Sequence, residues 1–77
     1  MISTYVMQEI FSYPNHYVGF EIDVRGGTVR MLELTMRKHG HAITVNDIVA
    51  TLGYMLRRGW LRESGVYLGR QLYSVAK

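Results

Sequence analysis

The chain has 77 residues, nearly half of them apolar, enough for one small core and too few for two. Nine basic residues against six acids give a formal charge of +3, and seven of the nine are arginines, whose flat donor forks suit phosphate and guanine edges. The lack of cysteine excludes disulfides and thiolate metal sites, no apolar run approaches the roughly 20 residues of a membrane span, and the N-terminus has no signal-peptide pattern, so one cytoplasmic domain over residues 1–77 is expected.

Residues 3 to 12 have the period of a short amphipathic helix, with Val6, Met7, Ile10 and Phe11 on one side and Ser3 or Thr4 as cap. Pro14 then breaks the chain, because proline fixes its own φ and pushes its predecessor out of the helical region. From Val18 the period becomes two: Val18, Phe20, Ile22 and Val24 alternate with Gly19, Glu21, Asp23 and Arg25, as in a half-buried strand. After Gly26-Gly27 two continuations compete. A hairpin would face Val24 with Val29 and Ile22 with Met31, but would set Phe20 against Glu33. A helix from Thr28 as cap, through Val29, Leu32 and Met36 to Lys38-His39, with Gly40 beyond, explains cap, stripe and stop together and is preferred.

Thr44 to Arg58 carries the clearest period. Winding places Val45, Ile48, Val49, Leu52, Met55 and Leu56 in one sector of about 120°, and Thr44 with Asp47 resembles a capping box. Gly59 ends that helix. Residues 60 to 63 and 71 to 75 read as antiparallel strands joined by the loop Ser64 to Arg70.

The spacing Ile48, Leu52, Met55, Gly59, then Trp60-Leu61 and the strand Leu72 to Val75, resembles the winged helix-turn-helix family over roughly the last 35 residues. The resemblance implies an α+β domain of three helices, a short strand and a C-terminal β-hairpin wing, and a function in binding double-stranded DNA with the third helix in the major groove. In its compactness the chain looks like the small regulators of phages, plasmids and bacterial accessory operons. An alternative alignment makes Thr28 to His39 and Thr44 to Leu52 the first two helices, leaving Tyr54 to Arg58 as a one-turn reader.

By that resemblance, a DNA-binding set is expected at Thr44, Asn46, Ala50, Thr51, Gly53, Tyr54, Arg57 and Arg58 on the third helix, and at Arg62, Tyr67 and Arg70 on the wing. Asn46 suits adenine and Arg57 guanine, Thr51 and Tyr54 a phosphate or base edge, and Ala50 with Gly53 a low strip for close approach. Glycine inside a helix costs about 1 kcal/mol relative to alanine, so Gly53 marks either that approach or a helix break. Arg30, Arg37 and Lys38 either extend the basic surface or form a solvent face. His39 and His41, with His16 distant, complete no metal site, and no P-loop, dinucleotide fingerprint or nucleophile motif occurs, so neither an enzyme nor a cofactor is expected. The expected partner is DNA, read by a homodimer closed over the apolar surplus of the first helix or Met31 and Leu34. The rival function is a protein-interaction module, such as an inhibitor docking a host complex.

Overall fold

The computed structural model describes residues 1–20, 22 and 29–76. Three helices, α1 (Thr4–Ser12), α2 (Val29–Lys38) and α3 (Val45–Arg57), precede an antiparallel hairpin of β1 (Leu61–Tyr67) and β2 (Arg70–Val75). That order matches an α+β winged helix-turn-helix topology. Ser3 caps α1 by accepting the Val6 N–H at 3.3 Å. Val6 and Ile10 turn inward, while Phe11, expected in the stripe, lies at its margin and stays largely exposed.

The helix expected after Gly26-Gly27 forms, and Val29, Leu32 and Met36 are its buried stripe. A hairpin of residues 29–36 is thereby excluded. The Gly26-Gly27 turn, the Thr28 cap, and Glu21, Asp23, Val24 and Arg25 of the expected strand lie outside the described residues. Among the described residues of that strand Val18 pairs: its N–H donates to Tyr73 O, and Tyr73 N–H donates to Val18 O, both at 2.8 Å. Val18 is buried and Phe20 packs edge-on against Tyr73 at 5.6 Å, but Ile22, expected to face inward, is exposed. The alternation therefore does not extend to Ile22.

Helices α2 and α3 end by one device. At Gly40, φ 86°, the His41 N–H donates back to Met36 O and the Gly40 N–H to Arg37 O. At Gly59, φ 76°, Trp60 N–H donates to Met55 O and Gly59 N–H to Leu56 O. These paired bonds satisfy carbonyls that each helix end would leave open, and they need a left-handed residue. Between them α3 runs unbroken through Gly53. The one-turn reader from Tyr54 to Arg58 is thus ruled out, and so is a helix break at Gly53. Ile48, Leu52 and Met55 are wholly buried and form the centre of the core, joined by Val6, Ile10, Val18, Val29, Leu32, Met36 and Leu61.

The hairpin departs from expectation at its tip. Pairing runs from Leu61↔Val75 through Glu63↔Tyr73 to Tyr67↔Arg70, so the seven-residue loop becomes a two-residue turn, Leu68-Gly69. Two local features allow this. A bulge at Ser64, followed by Gly65 at φ 139°, absorbs one residue and lets the ladder resume, and Leu68 and Gly69 both take positive φ, the geometry that matches strand twist.

Adding a Cβ at Gly40 or Gly59 meets no atom within 4 Å, so the only penalty there is backbone strain. Gly40→Ala and Gly59→Ala should each lower the unfolding free energy by about 1–2 kcal/mol in urea titrations. Unchanged midpoints would mean that the helix ends relax into other caps.

Candidate nucleic-acid interface

Thr44 caps α3, its hydroxyl accepting the Asp47 N–H at 3.2 Å. The Asp47 carboxylate in turn takes the terminal ammonium of Met1 at 2.8 Å. That bond, reinforced by Thr44, holds the Asp47 carboxyl below the usual carboxylate range. Asp47 is thus occupied within the cap, where a carboxylate also complements the helix dipole.

Beyond the cap, Asn46, Ala50, Gly53 and Arg57 recur at spacings of four, three and four, within about 60° of arc and over about 16 Å of axis. Asn46 and Arg57 at the ends of this strip are exposed, while Ala50 and Gly53 between them are half-buried. A Cβ built on Gly53 would stand 3.4 Å from Nη1 of Arg57. The guanidinium therefore lies back along the helix over the glycine, a contact that sequence spacing alone does not reveal.

Thr51 corrects the expected set. It is wholly buried, its hydroxyl accepting the Ser3 N–H at 2.8 Å and donating to Asp47 O at 2.7 Å. A residue with no exposed surface contacts no external partner. Tyr54 is half-buried and meets the Trp60 ring edge-on at 5.7 Å. Trp60 receives Phe11 edge-on from α1 at 6.0 Å and the Arg58 guanidinium over its face at 5.3 Å. The Arg58 fork remains exposed but its position is fixed by that ring. Trp60 thus organises one flank of the strip, a role its place in an apolar strand pattern concealed.

Arg62 and Arg70 are both exposed but are not brought together. Arg62 stands opposite Ser74 near the hairpin base, whereas Arg70 pairs with Tyr67 beside the turn. Arg62 borders a shallow polar cleft of about 300 Å³ with Pro14, Asn15, Tyr17, Ser64, Ser74 and Val75. On α2, Glu33 accepts from Arg30 and approaches Arg37 at 3.7 Å, so two arginines are balanced by one carboxylate. His39 comes within 4.0 Å of Glu9, and His41 stacks on Tyr5 at 3.8 Å, so both fasten α1 to the α2–α3 turn. Among the described residues no three His, Asp or Glu side chains gather to hold a metal, and no helix is long and apolar enough to cross a membrane.

No protein-family model matches the chain, and no curated protein or solved structure matches it. The likeness to a winged helix-turn-helix topology therefore rests on the order of three helices and a two-stranded antiparallel hairpin. A domain of this class supports binding of DNA or of protein.

Thr51→Val should leave the half-buried Ser3 N–H without its acceptor and lower stability by about 1 kcal/mol in denaturant melts. Gly53→Ala should do the reverse, raising stability by about 0.5–1 kcal/mol, because the flexible Arg57 fork shifts aside while the helix gains a better former.

Proposed function

We propose that the chain is a sequence-specific DNA-binding transcriptional regulator that lays α3 in the major groove and sets the hairpin against the flanking backbone. The observation that carries this reading is the strip Asn46, Ala50, Gly53, Arg57. Its two polar ends have the chemistry for base edges, bidentate to adenine and to guanine, and its small centre admits close approach of the helix backbone once the Arg57 guanidinium swings off Gly53 onto a base edge. Thr44 and Arg58 border the strip, and Arg62, Tyr67 and Arg70 extend donors along the hairpin. Their task is to fix register on phosphates. Arg30 and Arg37 belong to the Glu33 pairs of α2.

A single domain of this size offers few base contacts, and two-fold dimers commonly read half-sites about one helical turn apart. The exposed Phe11 and Tyr13 of α1 and its cap, or Met31 and Leu34 of α2, would close such a homodimer. The second reading, a protein-docking module, draws on the exposed apolar residues of the hairpin tip.

Selection of sites from a randomised duplex pool, followed by gel shifts at about 50 and 200 mM salt, separates the two. Neutralising four phosphates weakens affinity by about 10²-fold over that interval, whereas an apolar protein interface has no such slope. Arg57→Ala should lower affinity by about tenfold or more and relax preference at one base, with stability changed by less than about 0.5 kcal/mol. Arg70→Ala should reduce the salt slope by about one while leaving base preference intact. Salt-independent binding, or none, would shift the function to a protein partner.

A further inference from the structure

The hairpin tip has two features that reversing the chain does not require. In a two-residue turn with positive φ at both centres, Asn or Asp before glycine is favoured, because a Cβ in left-handed backbone crowds the next carbonyl. Gly69 meets that requirement. Leu68 does not: it sits at φ 51° with 66% of its surface exposed. Val66 and Tyr67 before it are 66% and 57% exposed, so three consecutive apolar side chains project where turns ordinarily carry polar ones. Strain and exposure combined in one residue point to a side chain retained for a contact outside the chain.

The surroundings of Leu68 define that contact. Tyr67 and Arg70 are cross-strand partners, so a phenol and a guanidinium share one face directly beneath the turn. Gly69 adds no side chain, and the bulge at Ser64 with Gly65 keeps the stem slim and strongly twisted. An aliphatic point on a narrow stem, with two phosphate-seeking donors behind it, suits a minor groove about 6 Å wide. There, aliphatic side chains enter between base steps, unstack them and bend the duplex toward the major groove. The domain charge of +3 and the arginine at the turn favour this polyanion over an apolar protein pocket.

We infer that Leu68 is a wedge that enters a base step beside the α3 site and bends the DNA, with Tyr67 and Arg70 holding the adjoining phosphates. The inference rests on the DNA-binding reading of α3 and adds to it a deformation that the helix strip does not supply. Flexible pyrimidine–purine steps, which unstack most readily, are the expected targets, giving sequence preference at a position read by no base-edge hydrogen bond.

The test uses a duplex recovered by selection, carrying 2-aminopurine at successive flanking steps and a fluorophore pair at its ends. Wild type should brighten 2-aminopurine at one step and shorten the end-to-end distance. Leu68→Asn, which suits the turn better, should raise the thermal midpoint yet abolish both signals and weaken binding about tenfold. Leu68→Gly, which also relieves the backbone, should behave likewise, so a folding failure in one variant leaves the other decisive. Leu68→Phe should keep the brightening and the bend. Wild type that binds a straight, fully stacked duplex overturns the wedge alone, as does Leu68→Asn that binds and bends DNA unchanged. Tip variants that alter self-association in sedimentation, with DNA affinity untouched, also overturn it and assign the tip to protein. Wild type that binds no duplex overturns the DNA reading and the wedge together.

Discussion

The structure depends on α3 having one side entirely consumed by packing. Ile48, Thr51, Leu52 and Met55 have no exposed surface, and each neighbouring element is fastened to that side or to its ends. The segment before α1 is tied on by the Ser3 N–H to Thr51 Oγ1, α2 is joined through the Gly40 turn that delivers the Thr44 cap, and β1 departs from the Gly59 stop. A chain this short has no second core to take over that role. The outward face of α3 is therefore what remains after packing, and it is narrow because three elements crowd its margins.

How much of this was legible follows from the range of each interaction. The buried stripes of α2 and α3, the Ser3 and Thr44 caps and the two glycine stops are local, so period and capping chemistry expose them. Thr51 was misread because its partner lies 48 residues away and a threonine at the edge of an apolar sector suits either side of a helix. The Trp60 cluster joins Phe11, Tyr54 and Arg58 from three segments, and no spacing encodes that meeting. The tight turn was missed because leucine is among the residues least suited to left-handed backbone, and half of the expected two-glycine or Asn-Gly signal was absent. Ile22 followed a period of two that the structure does not sustain. For the candidate site, helical winding alone aligns the strip Asn46, Ala50, Gly53, Arg57, whereas the placement of the Arg57 guanidinium over Gly53 depends on a side-chain conformation that winding does not fix.

Charge placement refines the net value of +3. Glu33 attends Arg30 and Arg37, and Asp47 attends the terminal ammonium. Arg57 and Arg58 end α3 and Arg62 and Arg70 lie on the hairpin, all four exposed, with Arg58 seated over Trp60. A uniform basic coat would attract any polyanion equally. On the proposed DNA reading, the cations where the small-residue strip ends would link electrostatic attraction to a preferred orientation.

The Val18–Tyr73 bridge has a further meaning in the order of assembly. Its two hydrogen bonds join positions about 55 residues apart, while the helices and the hairpin close over a few residues each, and the entropy lost on closing a loop grows with its length. Local elements can therefore form while the two ends of the chain are still separate, and the bridge becomes favourable only once α3 has gathered them. The bridge from Val18 to the two-stranded hairpin is thus a latch on a nearly finished domain, late in assembly rather than its starting point.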